Sequence, residues 1–237
     1  MVVAVSTGCC YDLKLGKLES IHFLEKYPID GVELLFADPE QLHNFSLDDQ
    51  ARKFLKGLKF VSIHMPFENI TYSDNQDTKA LIKIANQLAK QVNAKYLLFH
   101  PQTIQDFNSI KNQTQVCIEN MNKKIVGYNT PQQIEETLTI YPFVGFVLDI
   151  AHALGNQLNP NDFLKLKPKA IHVSGQWNKK GILKEHGFIT QGTKEQLELI
   201  KPILQLKIPK IIESDFYPNK IPLIEKEIQL LKELETL

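Results

Sequence analysis

The 237-residue sequence predicts one eight-stranded parallel α/β barrel of the (β/α)8, or TIM-barrel, type. Eight short apolar runs alternate with stretches of helical spacing, and such alternation is typical of parallel strands with helices outside. The length is close to the roughly 250 residues of a typical barrel. No glycine-rich phosphate-binding motif follows the first run, which disfavours the runner-up, an open doubly wound sheet. No linker-like segment divides the chain, so we expect residues 1–237 to form a single domain.

The predicted strands are short apolar runs, and most of them end at a polar residue. In chain order they span residues 2–5, 32–36, 60–63, 96–99, 116–118, 146–148, 170–171 and 208–212. Periodicity and capping residues predict helices near residues 18–27, 46–57, 78–91, 163–166, 194–206 and 223–234, with another beginning at Thr130. We expect Ser46, Thr130 and Thr193 to cap their helices.

The composition indicates an ordinary globular protein that is not a general nucleic-acid binder. Hydrophobic residues make up 43% and charged residues 23%, the formal net charge is zero, and Arg52 is the only arginine. Proteins that grip nucleic acid usually carry a basic surface rich in arginine. The odd number of cysteines favours a reducing cytoplasm. We expect no signal peptide and no membrane span.

Acidic residues and histidines recur where the predicted strands end. In a parallel barrel those ends converge on one face, which is where barrel active sites lie. Imidazoles and carboxylates packed together are poorly paired unless they bind a cation. Such ligands suit zinc first, and also manganese or iron. The predicted divalent-metal ligands at the strand ends are His64, His100, Glu119, Asp149, His172 and Glu213, with His152 and His186 just beyond two of them.

These residues stand in motifs that resemble the xylose isomerase-like barrels, and within them the endonuclease IV branch. The motifs cover about two thirds of the chain, in the family's order. They are His64-Met-Pro-Phe67, Phe99-His100-Pro101, Ile118-Glu119-Asn120, Leu148-Asp149-Ile-Ala-His152, Ile171-His172-Val173, His186 with Gly192 six residues on, and Ile212-Glu213.

The resemblance implies how the metals would be shared among these side chains. His64, His100 and Glu119 would hold one cation, and Glu119 would bridge to a second cation completed by three further ligands, Asp149, His172 and Glu213. His152 and His186 would belong to a third site. The family's aspartate at that site is replaced by Lys184, and an ammonium group cannot ligate a metal in its charged form.

The sequence is compatible with two enzyme mechanisms and with a third hypothesis, in which the protein has no catalytic activity. The first is a metal-dependent phosphodiesterase, and the resemblance implies cleavage beside an abasic site in DNA. The second is a sugar or sugar-phosphate isomerase or epimerase in which Glu119 and Glu213 move the proton. The third is a barrel that binds metal without turnover. The pair His64 and His100 favours the first mechanism, whereas the zero net charge of the chain and Lys184 favour the second. We expect Phe67, Trp177 and Lys184 to contact the substrate, a small sugar or a phosphodiester.

Overall fold

The computed structural model describes residues 2–179 and 182–234, and the side chains of residues 176–185 are not among those described. The predicted barrel is confirmed. Eight parallel strands close on themselves in the order β1-β10-β7-β6-β5-β4-β3-β2. These barrel strands are β1 (Val3–Ser6), β2 (Gly31–Leu35), β3 (Phe60–His64), β4 (Leu97–Phe99), β5 (Val116–Glu119), β6 (Val144–Asp149), β7 (Ala170–Val173) and β10 (Lys210–Ile212).

Helices pack around the outside of the barrel. They are α1 (Lys17–Leu24), α2 (Pro39–His43), α3 (Asp49–Gly57), α4 (Gln76–Val92), α5 (Pro131–Ile140), α6 (Ile150–Gly155), α7 (Lys194–Leu204) and α8 (Ile221–Glu233). The connection from β4 to β5 holds only 3-10 turns, Pro101–Thr103 and Phe107–Ile110. The short helix predicted near residue 163 is a 3-10 helix, Pro160–Leu166. Among the described residues, no helix combines the length and apolarity needed to span a membrane.

The helix starts show which capping predictions hold. Thr130 and Thr193 cap α5 and α7, and each accepts a hydrogen bond from the third residue of its helix, as predicted. The prediction for Ser46 is wrong. Asp48 is the N-cap of α3, and its carboxylate accepts from the Ala51 amide at 2.7 Å. Asp48 lies two residues beyond Ser46, and its ionised carboxylate gives a stronger bond to the helix N-terminus than a serine hydroxyl does.

An antiparallel hairpin that the sequence did not reveal follows β7. It consists of β8 (Gly175–Lys179) and β9 (Ile182–Gly187). His186, expected in a loop, lies in β9 with a positive φ of 60°. The hairpin packs beside α6, and therefore lies over the carboxyl end of the barrel.

The interior of the barrel is filled by alternate residues of each strand. At the amino end these inward residues form an apolar cluster that is separate from the core between strands and helices: Ala4, Phe60, Tyr96, Leu98, Cys117, Val147, Ala170 and Ile211. The packing there is close, because a Cβ on Gly31 would lie 2.6 Å from the Phe60 carbonyl oxygen. Two residues further along the strands, the same inward positions carry polar and ionisable side chains. This alternation delivers the predicted ligands to one layer.

Candidate metal centre

Six side chains predicted as ligands meet at the carboxyl end of the barrel. His64, Glu119, Asp149 and His172 are almost fully buried, and Glu213 and His100 are only slightly more exposed. Together with Glu33, which was not predicted, their ligating atoms form three overlapping groups, each with all of its atoms within 4.8 Å of one another. The groups are His64-His100-Glu119, Glu119-Asp149-His172 and Glu33-His172-Glu213.

Glu119 stands between two of these groups and turns one oxygen towards each. Its Oε1 lies 2.8 Å from His100 Nε2 and 3.5 Å from His64 Nε2. Its Oε2 lies 3.0 Å from His172 Nδ1. A carboxylate in this position can bridge two cations, one held by each group.

His172 Nδ1 is the point on which the remaining carboxylates converge. Besides Glu119, Glu213 Oε2 lies 3.1 Å from it and Asp149 Oδ2 lies 4.0 Å away. Asp149 is held from behind by Asn120, which exchanges two hydrogen bonds with the Asp149 backbone at 2.8 and 2.9 Å. The other Asp149 oxygen accepts from the His152 amide at 2.7 Å, so Oδ2 is the oxygen left facing the centre.

Several buried polar atoms of this layer lack a hydrogen-bond partner in the described protein. They are Glu33 Oε1, Glu119 Oε2, Asp149 Oδ2 and both ring nitrogens of His172. Some of these atoms are near one another, yet no properly aligned hydrogen bond joins them. Leaving such a group unsatisfied costs about 1–3 kcal/mol. Carboxylate oxygens and an imidazole nitrogen facing a common point are suitable ligands for a divalent cation, so the residues present fit a metal.

Burial and mutual interaction push the ionisation of the two central glutamates in opposite directions. Burial raises the pKa of the Glu119 carboxyl, but the imidazoles of His100, His172 and His64 outweigh it and hold the pKa well below its ordinary value. For Glu213, burial raises the pKa, and the nearby Asp149 and Glu119 add to that effect against the opposition of His172. Glu119 therefore favours the carboxylate form more strongly than Glu213 does.

Three histidines share one hydrogen-bonding pattern. In His64, His152 and His186, Nδ1 faces a backbone carbonyl oxygen, at 3.1, 2.8 and 3.1 Å respectively. A carbonyl only accepts, so the proton lies on Nδ1 and Nε2 keeps the lone pair that a metal requires. For His64 that nitrogen faces Glu119.

The residues predicted for a third cation are only partly brought together. The rings of His152 and His186 lie 6.3 Å apart. Neither residue belongs to the ligand groups found among the described residues. The Lys184 side chain lies outside the described residues, as does that of Trp177, although their backbones pair across the hairpin. A third site stays a prediction.

Phe67, predicted to contact substrate, lies against the histidine pair. Its ring stacks on His100 with centroids 4.3 Å apart and an interplanar angle of 18°. It meets His64 edge-on at 5.4 Å. Phe67 thus covers one side of the group formed by His64, His100 and Glu119.

Sequence reasoning missed Glu33, which lies on β2 directly beneath this layer. Its side chain is fully buried, Oε1 lies 3.1 Å from His172 Nε2, and Oε2 accepts from Ser62 Oγ at 2.8 Å. A signal was present, because a carboxylate interrupts the apolar run Val32-Glu33-Leu34. Glu33 does not end the run, however, so a prediction based on the polar residues at strand ends does not select it.

A cavity of about 1010 Å³ opens beside the ligands, between β1, β2 and the loops that follow them. It reaches Glu213 and His186 at its inner end. Its described lining is rich in hydroxyl and amide groups and contains more acidic than basic side chains. The charged residues are Lys17, Asp38, Glu68, Glu213 and Asp215, with His186 as the lone imidazole.

Comparison with solved structures places the barrel among known architectures. A D-tagatose 3-epimerase-like protein matches with a TM-score of 0.68 at 17% identity, over 98% of this chain and 99% of that one. The probable 3-DHS dehydratase AsbF of Bacillus anthracis matches at 0.70 and 13%, and endonuclease IV from Thermus thermophilus at 0.65 and 12%, each over 98% of this chain and 99% of the other. No protein-family model and no curated protein sequence matches the chain.

These neighbours are xylose isomerase-like TIM barrels, so the resemblance predicted from the motifs is confirmed at the level of the fold. The matched proteins differ in activity, since they include epimerases, a probable dehydratase and an endonuclease. At 12–17% identity the likeness carries the fold alone. The activity of this chain has to be argued from its own site.

Proposed function

We propose that the protein is a divalent-metal-dependent hydrolase that cleaves phosphodiesters at a centre of two cations. The observation that carries this proposal is the bridging position of Glu119. One of its oxygens faces His64 and His100, and the other faces His172. A site for one cation has no need of the histidine pair, whereas a two-cation site needs a shared carboxylate between two ligand groups.

In this proposal the two cations would be held by two ligand sets that share Glu119. His64, His100 and Glu119 hold one, and Glu119, Asp149, His172 and Glu213 hold the other. Zinc suits this mixture of imidazole and carboxylate ligands, with manganese as the second choice. When bound, the two cations would lower the pKa of a water and stabilise charge on the attacking and leaving oxygens.

The protein's own groups orient and shield the reaction. Asn120 fixes the strand end that carries Asp149. Phe67 stacks on His100 and limits access of bulk water to that side of the site. Glu213, at the edge of the cavity, is placed to exchange a proton with a leaving group. The more specific proposal, that the phosphodiester is DNA at an abasic site, rests on the motif resemblance alone.

The second candidate function, a sugar isomerase or epimerase, is supported by the cavity. Asp38, Glu68 and Asp215 line it together with hydroxyl and amide groups. Carboxylates accept hydrogen bonds from sugar hydroxyls but repel phosphate groups. Arg52, the only arginine, lies on α3 and pairs with Asp49. In this alternative Glu119 and Glu213 act as the acid and base on an uncharged ketose.

We further propose that residues 1–237 act as one catalytic domain in the cytoplasm. The three cysteines, Cys9, Cys10 and Cys117, are unpaired and buried. Free buried thiols are typical of proteins from reducing compartments.

Metal content and turnover test the proposal together. Elemental analysis of protein purified without chelators should give at least two cations per chain, and a value under one contradicts the proposal. Activity should then be measured in zinc and in manganese on three substrates: bis-p-nitrophenyl phosphate, an abasic-site duplex and a panel of ketoses. Cleavage of either phosphodiester without ketose turnover supports the hydrolase. The opposite result establishes the isomerase, and full metal content with no turnover on any substrate favours the barrel without catalysis.

A further inference from the structure

His172 differs from His64, His152 and His186 in the orientation of its ring. In His64, His152 and His186 it is Nδ1 that meets a backbone carbonyl, which leaves Nε2 as the nitrogen available to a cation. In His172 it is Nδ1 that faces the carboxylates of Glu119 and Glu213. Its Nε2 points down the lumen, where no backbone carbonyl serves it.

Glu33 occupies the position below that nitrogen. Its Oε1 lies 3.1 Å from His172 Nε2, and both side chains are fully buried. The N–H and the oxygen are not aligned well enough for a regular hydrogen bond, since both atoms lack one. The contact is therefore a close polar pair whose alignment depends on the ring orientation of His172.

The other Glu33 oxygen is fixed by the neighbouring strand. Ser62 stands beside Glu33 in the parallel register of β2 and β3, and its hydroxyl donates to Oε2 at 2.8 Å. Below this pair lies the apolar layer formed by Phe60, Tyr96 and their neighbours. Glu33 has no lysine or arginine partner among its described contacts, so its burial is costly unless it serves another group.

We propose that Glu33 is a positioning residue for the metal centre, and that it holds the proton of His172 on Nε2 so that Nδ1 is the ligating nitrogen. Ser62 fixes the Glu33 carboxylate for this purpose. A carboxylate behind a ligating imidazole orients the ring and makes its free nitrogen a better donor to the cation. The inference rests on the proposed function in one respect, namely that His172 binds a metal.

The inference is tested by measuring metal affinity. Cobalt(II), which reports its coordination by visible absorption, should be titrated into metal-free wild type, Glu33→Ala, Glu33→Gln and Ser62→Ala, in competition with a chelator. We expect Glu33→Ala to weaken the cation bound through His172 by 10- to 100-fold, the usual effect of removing such a partner. Glu33→Gln and Ser62→Ala should have smaller effects. The cation bound by His64 and His100 should be affected less.

Asp30→Asn is the matched control. Asp30 lies just before β2, at the amino end of the barrel, where it accepts from the Val3 amide and pairs with Lys59. This variant loses the same charge three residues away and should leave metal affinity unchanged. If Glu33→Ala does not fold, Glu33→Gln decides the matter, because its size and its bond to Ser62 are retained.

A second measurement separates positioning from a general structural role. In zinc-loaded protein with ¹⁵N-labelled histidine, His172 should show its proton on Nε2, and in Glu33→Gln that resonance should shift or exchange faster. Wild type that binds two cations together with a Glu33→Ala variant of unchanged affinity overturns this inference alone. Wild type that binds no cation overturns it together with the proposed function.

Discussion

The two ends of the barrel lumen are built from the same strands in the same alternation, yet their chemistry is opposite. At the amino end, the inward positions carry apolar side chains such as Phe60, Leu98 and Val147. Further along the same strands, the inward positions are His64, His100 and Asp149. One end contributes to stability by burying apolar area. The other end gathers ionisable groups that destabilise the fold unless a cation joins them.

The layer that stabilises the fold and the layer that carries the ionisable groups are therefore separated along the strands by a single repeat of the pleat. A parallel barrel places all carboxyl strand ends on one face, so a change of residue type at one inward layer creates a site without disturbing the layer below. Glu33 and Ser62 lie between the two ends and connect them. Mutations at the two ends should therefore affect different properties.

The largest effect is expected for Glu119→Gln. A neutral amide offers one oxygen acceptor and a nitrogen donor, so it cannot bridge two cations with two anionic oxygens. The metal content should fall below two per chain, and turnover on the substrate that wild type uses should fall by about 10³-fold or more, as for the loss of an essential metal or acid–base group. Glu40→Gln, an exposed change on α2, should be indistinguishable from wild type. Near wild-type turnover of Glu119→Gln would remove this residue from the centre.

A stability comparison of the two ends should give the next largest effect. Leu98→Ala opens a cavity in the apolar layer and should lower the free energy of unfolding by about 2–5 kcal/mol, with metal affinity little changed. Asp149→Asn removes one of several crowded carboxylates, so the metal-free protein should be unchanged or more stable, while metal affinity falls. Urea unfolding of both variants with chelator present gives these values. Strong destabilisation of metal-free protein by Asp149→Asn would show that the carboxylates already stabilise the fold without a cation.

The convergence of these side chains at the carboxyl end could be predicted from the sequence, because the main residues end apolar runs. His64, Glu119 and Asp149 each follow buried residues at a strand end, and a closed barrel then brings them together without further information. The distances between these side chains could not be predicted, because they depend on how the barrel closes. His172 and Glu33 are far apart in sequence, and their contact follows only from the strand order β1-β10-β7 and β1-β2 around the lumen.

Features that depend on tertiary context could not be read from local patterns. The hairpin β8–β9 carries few of the apolar alternations that mark strands, and each strand is stabilised by pairing with the other. Glu33 was missed because its inward orientation is set by the parity of β2 within a closed barrel, which a single apolar run does not reveal.

The amino end also contains a buried lysine, Lys210, whose hydrogen bonds differ from those of the ionisable groups at the carboxyl end. Lys210 begins β10, is fully buried, and donates from Nζ to the carbonyl oxygens of Leu206 and Ile208 at 2.6 and 2.8 Å. Burial lowers its pKa to about 7. Backbone carbonyls accept its hydrogen bonds, in contrast to the carboxylate oxygens at the carboxyl end that lack a partner.

This difference predicts the smallest effect, a pH dependence of stability that belongs to Lys210. Its folded pKa, about 7, lies below the ordinary value of 10.5. The unfolded state therefore binds more protons between pH 7 and 10, and the destabilisation caused by burying the charge is complete below pH 7 and relieved as pH rises. Subtracting the values for Lys210→Met removes the contribution of all other titrating groups to the pH dependence of the unfolding free energy. Between pH 7 and 9 the unfolding free energy of wild type should rise relative to the variant by about 2 kcal/mol, measured in urea with chelator present. A difference that stays constant over this range would mean that Lys210 remains protonated in the fold, held by its two carbonyl partners.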